Sequence, residues 1–542
     1  MSAAELGNEH MDDRHPLLSA ADLERIDAGL RSGAGRRDLM CWLMAMGLSG
    51  AAAGSILFRA EEARAQTPHK GGRIKVAMPG TSTADKLDPA QGSYSTDYMR
   101  AFMFHNGLTF LDGSLTPQLE LAEAIDTKDV TTWTIRLKRG IRFHDGSELT
   151  AADVAFTLER IKDPKTGSTA KALAAQMEKI TATGTHEVTV VLDAPNADFP
   201  VILGTPQFLI VKAGTSDFSK ANGTGPYLCT VFEAGVRSVA TRNPNYWKPG
   251  RPYLDEIEMI GIADESARVN ALLAGDIQVA GQITPRLKRR VAANRDFAVF
   301  ETRCGYYDNF ILRQDVDPTR NPDLTLAIKY LQNREQIRNA VEGVIANDQP
   351  VDPTNRFYFA DLPQRPFDAD KAKFHLQKSG IGNTKLPLYV ISGSSAADKA
   401  QILQHAAQTV GLNIDLQRMP AAGYWSNVWF KHPFTVGSIN PRPSADVLLT
   451  LFFKSDSPWN ESGWKNEKFD QLLVAARGEL DMAKRKQMYA DMQVMVHEKC
   501  GIGIPIFSNF NDAHVAKLKR LQPIPTGGLM GFAFAEHVWL EA

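Results

Sequence analysis

The sequence predicts an α/β protein, and a few stretches support that prediction. Apolar and polar residues alternate over 133–138, which is the period of a strand with one buried face. Thr150, with Asp153 three residues later, forms a capping-box start ahead of apolar residues at helical spacing. Two further apolar runs, 188–195 and 202–211, are expected to be strands. Strands and helices therefore alternate along the chain.

The residues between the first strand and the helix predict a β-hairpin. Gly140 interrupts the alternation, and Ile141 and Phe143 resume it. Asp145-Gly146 then supply a turn in which positive φ is tolerated. We expect strand, hairpin and helix in immediate succession.

Bulk properties are those of a large globular protein. The 542 residues are long enough for more than one domain, and 23% charged with 43% apolar residues is an ordinary balance. The formal net charge is −1, and no basic patch with interleaved aromatic residues occurs. Binding to nucleic acid is therefore not expected.

Residues 1–65 have the pattern of a twin-arginine export signal. Arg36-Arg37 precede a mostly apolar run, 39–58, which is followed by the small-x-small triplet 63–65. We predict export to the periplasm with cleavage after this triplet. The leader before the arginines is long and acidic, which departs from the usual basic signal, and a retained membrane anchor is the alternative.

The cysteines leave two possibilities open. Cys41 lies in the leader, so Cys229, Cys304 and Cys500 remain for the exported protein. An odd number permits at most one disulfide with one free thiol, and the sequence does not determine the pair. Three buried, reduced cysteines are the alternative.

Five blocks in order resemble the family 5 solute-binding proteins of ABC importers, the peptide, oligopeptide and nickel class. The densest is 133–160, with its G-x-x-F-H-D-G and L-T-A-x-D-V elements. The others are the L-D-P turn at 87–89, the G-T-G-P-Y block at 223–259, a helix at 267–277 and a helix at 367–380. The resemblance extends over most of the chain after residue 70.

The resemblance implies a two-lobed periplasmic binding protein fold of the class II type with an extra inserted subdomain. In this mapping, 66–108, 206–285 and 508–542 form lobe I, 109–205 form the inserted subdomain, and 286–507 form lobe II. These boundaries come from the resemblance and not from periodicity.

The function implied by the resemblance is that of a substrate-binding subunit. The protein would capture a peptide-like or small polar solute by closure of the lobes and deliver it, as a monomer, to ABC permease and ATPase subunits. Alternatives are a receptor for an anionic non-peptide solute, or a peptide-binding sensor or chaperone without transport. A hydrolase is not favoured, because no serine or cysteine is paired with a base by the sequence. We expect no cofactor.

The candidate ligand-binding residues follow from placing the family's contacting segments on this chain. They are Tyr94, Tyr98, Tyr424, Trp425, Trp429, Arg442 and Asp446. Arg442 lies near the position where peptide-binding relatives carry an aspartate, and a guanidinium in its place would favour an anionic ligand. Each aromatic residue could instead pack a core, Arg442 could lie on the surface, and Asp446 could cap a helix beginning at Val447.

Three further features are expected to be structural. The methionines of 479–498 recur at helical spacing and predict a core helix, and 502–507 resemble the family's returning strand. Trp459 and Trp464 are expected to pack a loop. His497 and Cys500 have a spacing that metals accept, but two ligands do not make a closed site, so no metal is expected.

Overall fold

The computed structural model describes residues 68–80, 83, 85–420 and 423–541. The twin-arginine pattern, the apolar run after it and Cys41 lie outside the described residues. The chain divides into two compact units, 1–69 with 539–542 and 70–538. Except for the last strand, Trp539–Leu540, all elements below belong to the second unit.

Twenty strands are distributed along the whole described part of the chain. These are β1 (Arg73–Met78), β2 (Thr109–Leu111), β3 (Pro117–Leu119), β4 (Ala122–Thr127), β5 (Thr132–Leu137), β6 (Met177–Gly184), β7 (Glu187–Leu192), β8 (Tyr227–Glu233), β9 (Arg237–Arg242), β10 (Glu256–Gly261), β11 (Val279–Ala280), β12 (Phe297–Leu312), β13 (Val344–Ile345), β14 (Leu386–Ile391), β15 (Ile414–Met419), β16 (Phe434–Ile439), β17 (Ile502–Gly503), β18 (Ile506–Val515), β19 (Leu518–Lys519) and β20 (Trp539–Leu540).

Helices alternate with these strands. They are α1 (Ser95–Phe104), α2 (Ala151–Lys162), α3 (Lys171–Ala174), α4 (Phe199–Ile202), α5 (Glu265–Ala274), α6 (Pro285–Ala292), α7 (Pro322–Leu331), α8 (Arg334–Val341), α9 (Ala369–Ser379), α10 (Ser395–Thr409), α11 (Tyr424–Asn427), α12 (Ala445–Phe452), α13 (Glu467–Gly478) and α14 (Met482–Lys499). Together with the strands they confirm the α/β prediction.

One mixed sheet of twelve strands organises the second unit. Its main path is β15-β14-β16-β12-β18-β11-β1-β10-β9-β8. The pairs β1–β10 and β14–β15 are parallel, and β12 is antiparallel to both β16 and β18. The first part of β12 pairs with β18, the last part pairs with β16, and the register with β18 shifts between Thr302 and Tyr306. The sixteen residues of β12 therefore join the two halves of the sheet.

A separate four-stranded antiparallel sheet, β4-β5-β7-β6, lies between α1 and β8 in the sequence. It contains the strand predicted at 133–138 and, as β7, most of the strand predicted at 188–195. Helix α2 follows the predicted capping box, since a carboxylate oxygen of Asp153 accepts from the backbone N–H and hydroxyl of Thr150 at 2.8 and 2.9 Å. These local predictions are confirmed.

One local prediction is wrong and another holds in a shorter form. Residues 202–211 form no strand: α4 ends at Ile202, and a 3₁₀ turn occupies Pro206–Phe208. Gly204 and Pro206 break the extended backbone, and the apolar side chains are buried in the core under the small sheet instead. The hairpin expected after Gly140 is present but short. It has one bridge, between Arg142 and Glu148, two cross-strand backbone hydrogen bonds of 2.8 Å, and a turn in which Gly146 has the expected positive φ of 86°.

The methionine-rich helix is confirmed as a core helix. Asp481 caps α14 by accepting from two backbone amides, Met492 is fully buried, and Met488 and Met495 pack against the same core. The returning strand expected at 502–507 is divided into β17 and the start of β18. Within the described part of the chain, no helix combines the length and apolar character needed to span a bilayer.

Among the described residues, Cys229, Cys304 and Cys500 are free thiols. Cys304 and Cys500 are buried, and burial raises the pKa of each thiol, to about 12 and about 11. Both thiols are therefore protonated at neutral pH. Of the two possibilities left open, the structure has the reduced form.

The carboxyl group of Glu461 is buried beside Trp429, which packs against the same hydrophobic core as Trp464. It is 3% exposed, and its two oxygens accept from Nε1 of Trp429 at 2.8 Å and from Nδ2 of Asn309 at 2.6 Å. Burial raises the pKa of Glu461 to about 7, and these two hydrogen bonds offset the effect only in part. The folded protein therefore holds a proton here at pH values where the unfolded chain has released it.

Glu461 makes stability depend on pH in a defined direction. Because its pKa is raised on folding, its contribution falls as pH rises from about 4.5 to about 7. In Glu461→Gln, the loss of unfolding free energy between pH 5 and 8 should shrink by up to about 3 kcal/mol. Denaturant unfolding at both pH values measures this, with the exposed Glu178→Gln as control. Equal pH dependence in wild type and Glu461→Gln would contradict the assignment.

A close approach of two backbone segments explains the second glycine of the G-T-G-P-Y block, Gly225. A Cβ on Gly225 would lie 2.4 Å from the carbonyl carbon of Phe104 and 2.6 Å from the amide nitrogen of His105. Gly225→Ala should therefore lower the unfolding free energy by about 1–3 kcal/mol. Gly184→Ala is the matched control, because its Cβ would approach no atom closer than 3.8 Å. Thermal unfolding of both variants tests the difference, and equal melting temperatures would refute it.

Candidate functional site

A cavity of about 990 Å³ lies within the second unit. Its wall includes Tyr98 from α1, Leu173 from the end of α3, Arg442 and Trp459 from the segments around α12, and Phe532 near the C-terminus. The volume is at the upper end of the roughly 300–1,000 Å³ typical of small-molecule sites. Distant parts of the sequence therefore enclose one space of ligand size.

Tyr98 presents an aromatic face to this cavity. Its hydroxyl oxygen accepts from Nε2 of Gln207 at 3.1 Å, and its ring centroid is 5.4 Å from that of Phe532. Burial raises the pKa of the Tyr98 hydroxyl, so this group is neutral at physiological pH. The pair of rings gives an apolar wall with one polar tip.

Phe532 is positioned by an unusual turn. Leu529, Met530 and Phe532 have positive φ values of 46°, 60° and 77°, a region that residues with side chains rarely adopt. The turn is held by the buried carboxylate of Asp512, which accepts from the backbone N–H of Leu529 at 2.8 Å. A Cβ on Gly528 would lie 2.6 Å from the same carboxylate, so glycine is required for this approach.

Sequence reasoning did not identify this turn as part of the site. The glycines at 527, 528 and 531 are the signal that could have found it, because clustered glycines mark positive φ or close backbone approach. Phe510 on β18 was also missed. Trp459, which was expected to pack a loop, lies on the cavity wall with 41% of its surface exposed.

The cavity wall also carries a compact ionic cluster. Nζ of Lys248 lies 2.7 Å from Glu120 and 2.9 Å from Glu536, and Nη1 of Arg251 lies 2.7 Å from Glu536. The Tyr246 hydroxyl also donates to Glu536, at 3.0 Å. Burial favours the neutral form of Glu536, but the Lys248 charge and the donated hydrogen bonds outweigh it and lower the pKa of that carboxyl. These charges neutralise one another.

Arg442 has no such compensation. Its guanidinium carbon lies 5.2 Å from the centroid of the Phe452 ring. Nη1 makes one long hydrogen bond, 3.5 Å, to the Pro441 carbonyl oxygen, and Nε is buried without a partner. Among the described residues its electrostatic partners are the hydroxyls of Tyr98 and Tyr307, not a carboxylate. Burial lowers the pKa of Arg442, yet a guanidinium stays charged at neutral pH.

Asp446 lies behind the cavity wall. It is 2% exposed, and both of its carboxylate oxygens accept from Nε of Arg477 at 3.2 Å. Burial raises the pKa of Asp446, against the opposing charge of Arg477. It does not cap a helix beginning at Val447, because α12 begins at Ala445 and its cap is Ser444. Asp446 is thus engaged by a cation before any ligand arrives.

The remaining candidate aromatic residues lie elsewhere than on this cavity wall. Tyr424 is 1% exposed, with its hydroxyl 2.8 Å from the Val436 carbonyl oxygen. Trp425 is 43% exposed, and Trp429 donates to Glu461. Tyr94, 50% exposed, precedes the first turn of α1. The cavity therefore brings together Tyr98 and Arg442 from the predicted set.

The two residues with metal-like spacing have separate contacts. Nδ1 of His497 lies 2.6 Å from the Asn347 carbonyl oxygen, and Sγ of Cys500 lies 3.4 Å from the Ser462 hydroxyl. In the part of the chain that the structure describes, no three His, Cys, Asp or Glu side chains are grouped to hold a metal ion. Burial lowers the pKa of His497 to about 4, so the imidazole is neutral.

Two proteins named for the peptides they bind are similar to this chain over most of its length. The chain is 26% identical over 462 residues to di/tripeptide-binding protein 2 of Pseudomonas aeruginosa (strain UCBPP-PA14), covering 76% of this chain and 86% of the relative. It is 25% identical over 516 residues to glutathione-binding protein GsiB of Escherichia coli (strain K12), covering 91% and 98%.

A solved structure has the same fold. It is the periplasmic binding protein DppA of Helicobacter pylori in complex with the peptide STSA, with a TM-score of 0.77, 20% identity, and coverage of 89% of this chain and 100% of that chain. The α/β periplasmic binding protein fold expected from the sequence is confirmed. Residues 116–460, more than half of the chain, match the model of the bacterial extracellular solute-binding proteins, family 5. The protein belongs to the family 5 extracellular solute-binding proteins.

Proposed function

We propose that the protein is the periplasmic substrate-binding subunit of an ABC importer. It captures a peptide-like or small polar solute in the 990 Å³ cavity and delivers it unaltered to permease and ATPase subunits. Family membership supports this proposal, as do relatives named for binding di- and tripeptides or glutathione. We expect the chain to act as a monomer, since residues of one copy suffice to line a cavity of ligand size.

The observation that supports this function most directly is that widely separated parts of the sequence line the cavity. With lobe I at 66–108, 206–285 and 508–542, the inserted subdomain at 109–205 and lobe II at 286–507, each part contributes residues to the cavity. A site divided between bodies that can move apart is suited to capture and release. A solute that contacts all of them favours the closed arrangement by its differential affinity.

Closure would bend the chain at β12 and β18, which connect the proposed lobes. The ladder between these strands is irregular from Thr302 to Tyr306. A break in a ladder locally reduces the hydrogen bonds that resist bending. The aromatic pair Tyr306–Phe510, with ring centroids 5.5 Å apart, lies at this position, and Phe510 reaches the cavity.

Scattering experiments test capture by closure. The mature protein is unfolded and refolded to remove bound solute, and then mixed with the dialysable fraction of a casein hydrolysate. The radius of gyration should decrease, and mass spectrometry should recover the bound solute chemically unchanged. Identical scattering profiles with and without solute, or a chemically altered solute, would reject the proposal.

Tyr98 and Tyr94 provide a matched pair of variants for the same experiment. Tyr98→Ala removes an aromatic face from the cavity and should weaken solute binding at least about tenfold. Tyr94→Ala changes an exposed ring four residues away and should leave affinity unchanged.

Export by the twin-arginine route is part of the proposal and has its own test. Arg36→Lys/Arg37→Lys should leave the protein in the cytoplasm, whereas wild type should accumulate in the periplasm with Gln66 as its first residue. Cell fractionation and N-terminal mass analysis measure both outcomes. Arg59→Lys, beyond the apolar run, serves as control. Unchanged export of the double variant would exclude this route.

A further inference from the structure

We infer that the solute is anchored through an anionic group, a carboxylate or a phosphate, on Arg442, and that it needs no ammonium group. The inference rests on the proposed function and specifies the chemical class of solute that this cavity takes. It follows from which charged groups in the wall are already neutralised and which are not.

Arg442 is a cation of the wall that has no ion pair among the described residues. Its Nε is buried without a hydrogen-bond partner in this part of the chain, although the side chain as a whole is only partly buried, and its one hydrogen bond, to the Pro441 carbonyl oxygen, is long at 3.5 Å. A charged group withdrawn from water is costly unless it is paired. Because the described residues supply no carboxylate to Arg442, an anion from the solute is the group that would compensate it.

The carboxylates of the wall are already paired. Three carboxylates line the cavity, and each has a cationic partner: Glu120 and Glu536 with Lys248, and Asp456 with Lys454 at 2.6 Å. An ammonium group of a solute would have to compete with a bond already made. Among the described residues, the wall therefore offers positive charge without an ion pair, on the partly buried Arg442 and on the exposed Lys171, and no negative charge without one. Arg442 is the less hydrated of the two, so an anion gains more by pairing with it.

The surroundings of Arg442 define how the anion would bind. The guanidinium lies over the Phe452 ring, and its electrostatic partners are the hydroxyls of Tyr98 and Tyr307. A planar guanidinium fork matches the oxygens of a carboxylate or phosphate. The Tyr98 hydroxyl, which lies on the same cavity wall, is a further donor for that anion.

The rest of the solute meets apolar surface. Tyr98, Phe532 and Trp459 line the same cavity as Arg442. The solute expected from this wall is a small organic anion with an apolar or aromatic portion. A simple inorganic anion would satisfy the charge but leave most of the 990 Å³ unfilled.

The experiment measures the melting temperature of refolded mature protein with four separate pools. They contain N-acyl amino acids and dicarboxylates, phosphate monoesters, di- and tripeptides, and polyamines. The carboxylate pool or the phosphate pool should raise the melting temperature, and which one does so identifies the anion. Polyamines should have no effect.

Variants connect this effect to Arg442. In Arg442→Gln, the active compound should bind about 10- to 100-fold more weakly by calorimetry, since a hydrogen bond to a charged group is lost. Arg442→Lys should retain part of the affinity, because it keeps the charge without the fork. Arg290→Gln, an exposed position, is the control. Circular dichroism without solute verifies that each variant is folded.

Three results would overturn the inference. They are stabilisation by polyamines alone, stabilisation by peptides that N-acetylation abolishes, and equal affinity in wild type and Arg442→Gln. The failure of the proposed function is distinguishable from these, because no pool would then stabilise the wild type at all. That result would overturn both proposals.

Discussion

The antiparallel pairing of β12 with β18 is the constraint on which the rest of the structure depends. It is the one place on the path of the large sheet where β16 and its neighbours join β11, β1 and theirs, within the described residues. Phe510 reaches the cavity from this pairing, opposite Thr302. Of the two strands that unite the sheet, β18 therefore also forms part of the cavity wall. A change in their relative twist changes the shape of the space available to a solute.

Two features near the cavity lower the free energy of unfolding. The positive φ values of Leu529 and Met530 cost on the order of 1 kcal/mol or more each. Asp512, whose pKa burial raises to about 6, accepts from the backbone amides of Gln282 and Leu529 and has no cationic partner in the described part of the chain. The surrounding cores must compensate for both costs. A turn fixed in this way presents Phe532 to the cavity in one orientation, which lowers the entropy lost when a solute binds.

Residue periodicity predicted most strands and helix starts correctly. It could not predict which side chains from distant parts of the sequence face one another in the cavity. The strand at 133–138 and the capping box of α2 depend on neighbouring residues and were found. Tyr94 and Tyr98 have helical spacing, but Tyr94 precedes the helix with extended backbone, so the two rings diverge. Aromatic density at 424–429 indicated burial without distinguishing a core from a binding wall. Arg442 was found through a charge difference from relatives, a signal that does not require knowing its neighbours.

The unpaired guanidinium gives a physical reason why occupancy and closure would be coupled. A closed state that places Phe452 and Tyr98 beside Arg442 but supplies no anion must bear the cost of a partly desolvated charge. An open state leaves the same charge to water. An anionic solute reverses this preference, because it pairs with the charge only where the walls meet. The shift in population is then limited by the difference in solute affinity between the two states, so a neutral analogue that fills the same volume would close the lobes less completely.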